Sequence, residues 1–179
     1  VAGRSCSDPG RRLGCRRARF DEASDVLGRD IADLCFSGPD DVLRATQNTQ
    51  PALFVVEAAL VDILAEKDVA PSYTAGHSLG EYAALYAAGV FPFRGGLELV
   101  ARRSLLMSQV GEKRPGTMAA IIGLPVEQIQ SVLHGVTTGV VVTANQNTPE
   151  QTVISGEVAA VQQACDLLKE AGAKRAVQL

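Results

Sequence analysis

Between Met118 and Leu179 the apolar residues change period four times, and the order of those changes leaves few folds open. Met118 to Gly123 is predicted as a strand, Val126 to Leu133 as a helix, and Gly139 to Ala144 as a β-branched strand. A turn at Asn147-Thr148-Pro149 leads into strand Thr152 to Ser155, helix Val158 to Ala171 and a last strand Ala173 to Leu179. The order βαββαβ is that of a ferredoxin-like unit, complete in itself.

Before Pro115 the pattern is also α/β. Phe20 to Leu27 and Asp30 to Phe36 read as short helices, followed by the turn Ser37-Gly38-Pro39-Asp40. Thr49-Gln50-Pro51 opens a long helix, with Pro51 in its first turn, where a missing N–H costs nothing. Its body, Ala52 to Ala65, is apolar nearly all round and so should be covered on most sides. Glu57 and Asp62 interrupt it, which favours a core helix over a membrane span. Val69 to Ala75 is expected as a short strand, Leu79 to Ala88 as a helix closed by Gly89, and Gly95 to Val110 as a further helix. The chain therefore reads as a hydrolase-like α/β core over residues 20–114 and an inserted ferredoxin-like subdomain over residues 115–179. The second part should fold as a whole, the first more loosely.

Residues 1–19 stand apart. Arg4, Arg11, Arg12, Arg16, Arg17 and Arg19 face a single acid, Asp8, with no helical or strand period. They read as an atypical leader, either a targeting presequence or a flexible or misread start; without an apolar h-region they do not resemble a secretory signal. In the whole chain of 179 residues, 46% hydrophobic and 21% charged side chains are ordinary for a soluble globular protein. A net charge of -3 gives no reason to expect nucleic acid or an anionic membrane as partner. Cys6, Cys15, Cys35 and Cys165 lack metal-ligand spacing and read as reduced thiols of a cytoplasmic protein.

The chemistry sits at Gly76-His77-Ser78-Leu79-Gly80, a G-x-S-x-G between a predicted strand and a predicted helix. That is the setting of a nucleophile elbow. The turn is tight enough that side chains two before and two after the serine would collide with neighbouring backbone, which Gly76 and Gly80 avoid. The elbow presents the Ser78 hydroxyl and aims the Leu79 N–H at an oxygen that becomes negative during acyl transfer. The bland alternative is a glycine-rich turn with an idle serine.

A base for Ser78 is harder to find. His77 is its neighbour in a turn where successive side chains diverge, and reads as a residue that stiffens the turn. His134 follows the first helix of the small subdomain and reads as a surface residue. Neither suits a general base. Arg103, by contrast, lies on one helical face with Val100, Met107 and Val110, while Arg102 falls off it. A guanidinium in an apolar stripe demands an anion: an internal carboxylate such as Glu81, or a substrate carboxylate held by a bidentate fork.

The run from Gly76 through Glu81-Tyr82-Ala83-Ala84-Leu85 resembles the active-site signature of malonyl-CoA:acyl-carrier-protein transacylases and the related polyketide-synthase acyltransferase domains. Thr46 to Ala52, Gly116 to Ala120, Asn147-Thr148-Pro149 with Val153 to Gly156, and Ala171 to Arg175 match the same family in order. The resemblance covers roughly Phe20 to Leu179. It implies that Ser78 is the acylated nucleophile, the Leu79 N–H one oxyanion donor and Arg103 the ligand of the malonyl carboxylate. It implies malonyl-CoA and acyl carrier protein as partners, with no metal or redox cofactor; CoA thioester and phosphopantetheine enter only as substrate groups. The reaction would be ping-pong.

Two departures accompany the resemblance. The family's Gly-Gln-Gly-Ser-Gln loop has no counterpart in residues 1–19, and its catalytic histidine would lie beyond Leu179. The sequence is thus expected to be an incomplete or misassembled copy that turns over malonyl-CoA negligibly on its own. A polyketide-type acyltransferase, a serine esterase or patatin-like hydrolase, and an inactive fragment are the alternatives; a hydrolase would share the elbow but have no use for Arg103.

Overall fold

The structure, a computed structural model, describes residues 9–113 and 115–179 and divides into two units between Gln109 and Val110. The described part of the first unit is helical: α1 (Pro9–Leu27), α2 (Ile31–Ser37), α3 (Asp40–Arg44), α4 (Thr46–Ala65), α5 (Gly80–Ala87) and α6 (Phe93–Lys113), whose last turn runs past the division.

Residues 1–8 of the expected leader lie outside the described residues, but the rest of it does not lack structure. α1 begins at Pro9, and the helix expected over Phe20–Leu27 is its final part. Arg19, counted above with the leader, is tied into the unit. Its Nε donates to Asp62 Oδ2 at 2.6 Å, its Nη2 to the Tyr86 hydroxyl at 3.1 Å, and its guanidinium lies 4.8 Å from the Phe93 ring centre. The Tyr86 hydroxyl donates to the other Asp62 oxygen at 2.6 Å. Burial and that bond together raise the Tyr86 pKa. Arginine-rich composition concealed this because one of the six arginines has its acid far along the chain.

α2 starts one residue later than expected, with Asp30 as its cap: the Asp30 side chain accepts the Asp33 N–H at 2.8 Å. The expected turn after it is followed by the short helix α3. α4 begins three residues earlier than expected, at Thr46, so Pro51 falls inside the helix. Pro51 has no N–H to give to the Gln47 carbonyl one turn back. Arg29 Nη2 supplies that bond from outside the helix at 2.9 Å, while the Thr49 hydroxyl donates to the carbonyl of Leu43 at 2.5 Å.

One side of α4 carries the core of this unit. Phe54, Val55 and Ala58 are buried against Ala23, Leu97 and Val100, and the Phe54 ring stacks on Phe93 with centroids 5.8 Å apart. The other side, with Leu53, Leu60 and Leu64, is about half exposed, so the expected cover on most sides is not met among the described residues. α4 is long and apolar enough to cross a membrane by length and composition, but its buried Asn48 and Gln50 and its tie from Asp62 to Arg19 are those of a core helix.

The strand expected over Val69–Ala75 is not formed. This segment is irregular and exposed, with Tyr73 at 94% exposure, and no strand occurs among the described residues of this unit. A strand is stabilised by its ladder, and these residues have no partner strand beside them.

In the second unit the expected order is met element by element: β1 (Gly116–Ile122), α7 (Val126–Leu133), β2 (Val141–Thr148), β3 (Gln151–Glu157), α8 (Val158–Glu170) and β4 (Arg175–Gln178). The four strands form one antiparallel sheet in the order β2-β3-β1-β4. β1 pairs Ala119 with Ile154 and Ile121 with Thr152. β2 runs four residues past the expected Ala144, carried through two register shifts by its pairing with β3. α7 and α8 cover one face, burying Ile129, Val161 and Leu168 against Ala119, Ile121 and Ile154.

Thr152 is 1% exposed and its Oγ1 has no hydrogen-bond partner. Thr152→Val removes that orphan at nearly constant shape, so it is expected to stabilise the unit by about 1 kcal/mol. Urea denaturation followed by circular dichroism measures this; a variant weaker than the parent would show the hydroxyl to be satisfied. Cys35 and Cys165 are free thiols whose pKa values are raised by burial, while Cys6 and the Cys15 side chain lie outside what the structure describes.

Candidate active site

Ser78 sits at the entrance to α5 with φ at +55°, a left-handed conformation that a serine adopts only when its surroundings impose it. The turn is closed by the Gly80 N–H on the His77 carbonyl at 3.0 Å and the Glu81 N–H on the Ser78 carbonyl at 3.3 Å. Leu79 takes the N-cap position in helical geometry, its side chain buried in the core while Ser78 stays exposed. Its N–H takes no part in the bonds that close the turn. It is thus placed among the N–H groups at the start of α5.

The two glycines are not equivalent. A Cβ on Gly76 would stand 2.0 Å from the Gly80 carbonyl carbon and 2.2 Å from the Glu81 nitrogen, so only glycine fits. A Cβ on Gly80 would meet nothing within 4 Å. The steric reason expected for Gly80 is therefore absent among the described residues: α5 turns away from the incoming chain, and the crowding falls on one side of the elbow only. His77 is exposed, and its backbone carbonyl accepts the Gly80 N–H of the turn. His134, in the other unit, is exposed at the C-cap of α7, as expected of a surface residue.

Arg103 reaches this elbow. From the middle of α6 its Nη2 donates to Ser78 Oγ at 2.9 Å, and its guanidinium carbon lies 5.9 Å from the Tyr82 ring centre. Nη1 donates to Oε1 of Gln50. The face it was expected to share is only partly apolar cover: Val100 is buried, whereas Met107 and Val110 are about half exposed. Arg102 is exposed, as its position implies. The alternative of an internal ion pair with Glu81 is not what forms; among the described residues no salt bridge includes Arg103.

Gln50 is the site residue that sequence reasoning missed. The sequence places it only at the opening of a long helix, yet it is 6% exposed in the second turn of α4 and bonded to Arg103. No local pattern in the sequence marks it; the need of its amide for partners follows only from its burial in the fold.

Behind the elbow, a groove of about 650 Å³ runs between α4 and the extended segment, lined by Leu53, Glu57, Tyr73, Gly76 and His77 among others. Glu57 Oε2 is buried there without a hydrogen-bond partner, and desolvation raises its pKa. A larger cavity, about 750 Å³ beside α1 and α2, shares no residue with the elbow. Among the described residues no three His, Cys, Asp or Glu side chains are grouped to hold a metal ion.

The model of the acyl transferase domain family matches residues 17–179. This chain belongs to that family. Among acyl transferase relatives, the malonyl CoA-acyl carrier protein transacylase of Synechocystis sp. is 46% identical over 163 residues, covering 91% of this chain and 53% of the relative. That of Bacillus subtilis is 41% identical over 162 residues, covering 89% and 51%. The chain thus spans about half the length of the curated relatives it matches. Solved structures agree. An acyl carrier protein S-malonyltransferase from Vibrio cholerae superposes with a TM-score of 0.87 at 40% identity, covering 99% of this chain and 59% of that one. A malonyl-transacylase solved in complex with its type II polyketide-synthase acyl-carrier protein also gives 0.87, at 42% identity and coverage of 99% and 60%.

Proposed function

We propose that the protein carrying this chain moves a malonyl group from malonyl-CoA to the phosphopantetheine thiol of acyl carrier protein, through an ester on Ser78. The observation that carries this reading is the Arg103 guanidinium 2.9 Å from Ser78 Oγ, with no carboxylate paired to it among the described residues. An acyl group on Oγ places its far end within reach of a cation that lacks a counter-ion, and a malonyl group ends in a carboxylate.

In the first half-reaction Ser78 Oγ attacks the thioester carbonyl, its proton leaving to a general base. The oxyanion gathers charge near the Leu79 N–H, and CoA departs as its thiol. In the second half, the phosphopantetheine thiol attacks the Ser78 ester and Oγ recovers its proton. No metal or redox cofactor is needed for either transfer. Relatives named malonyl CoA-acyl carrier protein transacylase, one of them for polyketide biosynthesis, support the donor and acceptor; the same half-reactions would serve fatty-acid and polyketide synthesis alike. A plain esterase would gain nothing from Arg103.

This reading brings a fold with it. The antiparallel order β2-β3-β1-β4 with both helices on one face supports a ferredoxin-like subdomain over residues 115–179. The strained turn before α5 supports a hydrolase-like core over residues 20–114, in which Val69–Ala75 becomes a strand once a neighbouring strand is supplied. The test uses a version extended with the family's Gly-Gln-Gly-Ser-Gln and histidine segments. Incubated with malonyl-CoA, it is expected to gain one malonyl mass on the peptide holding Ser78, and Ser78→Ala to gain none. Labelling of Ser78→Ala to the same extent would sink the proposal.

A further inference from the structure

We infer that Gln50 is a positioning residue that holds Arg103 over Ser78 without cancelling its charge; the inference rests on the carboxylate role proposed for Arg103. The amide of Gln50 is fully engaged. Oε1 accepts from Arg103 Nη1, and Nε2 donates to the Thr46 hydroxyl at 2.7 Å and to Met107 Sδ at 3.3 Å. Arginine can only donate, so the carbonyl end must face it and the NH2 end must face Thr46. Thr46 thereby orients the amide, and the amide orients the guanidinium.

The choice of a neutral partner matters more than the bond itself. A guanidinium needs acceptors wherever it is desolvated, and the usual acceptor is a carboxylate. A carboxylate at this position would fix Arg103 equally well and would also neutralise it, leaving an incoming carboxylate to compete with a permanent counter-ion. The buried amide gives the geometry and leaves the charge available. Its location on α4 makes the hold rigid, since Phe54 one turn later is fully buried in the core.

Two near-isosteric variants separate geometry from charge. Gln50→Met removes the acceptor and keeps the site neutral; Gln50→Glu keeps the acceptor and adds a negative charge. The chain as it stands is labelled with ¹⁵N-arginine and titrated with malonate, then with the uncharged malonamide, following the Arg103 side-chain resonances. In the parent, the Nη1 and Nη2 groups are expected to give separate signals through hindered rotation, and these should merge in Gln50→Met. Malonate affinity is expected to fall by several-fold in Gln50→Met and by tenfold or more in Gln50→Glu, with any response to uncharged malonamide little changed in either.

Merged signals in the parent chain would overturn the inference about Gln50 and leave the carboxylate role of Arg103 untouched. Equal malonate affinity in Gln50→Glu and the parent would overturn the argument from charge. Separate signals with no saturable malonate response in the parent would instead refute the carboxylate reading itself, and with it any need for a neutral partner. The parent measurements decide even if a variant fails to fold.

Discussion

Arg103→Ala, made in the version extended with the family's Gly-Gln-Gly-Ser-Gln and histidine segments, is expected to lower malonyl transfer roughly ten- to a hundred-fold and to leave acetyl transfer nearly unchanged. A carboxylate held by a guanidinium gains about 1.5–3 kcal/mol over a neutral acyl group, and the variant both removes that gain and strands the carboxylate. Acetyl has no carboxylate to strand. Arg102→Ala is the control, because Arg102 is exposed on the neighbouring face of α6 and should alter neither rate much. Initial rates with both thioesters measure the ratio. Equal losses for malonyl and acetyl would mean that the bond from Arg103 to Ser78 Oγ serves only to shape the elbow.

The second large effect concerns two glycines that look alike in sequence. Gly76→Ala must push a methyl group into backbone atoms 2.0–2.2 Å away, and backbone does not yield as a flexible side chain does. A loss of about 3 kcal/mol or more is expected. Gly80→Ala adds its methyl to open space at the first position of α5, where alanine favours the helix; it should be neutral or stabilising by less than about 1 kcal/mol. Thermal unfolding of the two variants side by side gives the comparison. Similar losses in both would show that the crowding is shared across the turn, contrary to the geometry described.

That contrast shows how much of this molecule could be read in advance. The elbow was legible because its constraint is local: five residues must make one tight turn, and Ser78 with Gly76 does so within its own segment. Helix Val126–Leu133 was placed to the residue for the same reason, since Pro125 bounds it and its apolar face repeats cleanly. Val69–Ala75 has a strand's composition, but a ladder belongs to two segments and sequence shows one. Arg19 was misjudged because its partners, Asp62 and Tyr86, are 43 and 67 residues away. Arg103 was found from its helical face. Gln50 was not, because nothing local distinguishes a glutamine that caps a helix from one that meets an arginine 53 residues on.

The backbone at Ser78 carries one more consequence. A residue with a Cβ held at φ +55° forgoes about 1–2 kcal/mol relative to glycine, which occupies that region freely. The chain is therefore less robust with serine at this position than it would be with glycine. Ser78→Gly should melt later than the parent. On the role proposed for Ser78, the serine would mark a trade-off in which thermodynamic robustness is relinquished for reactivity at one position.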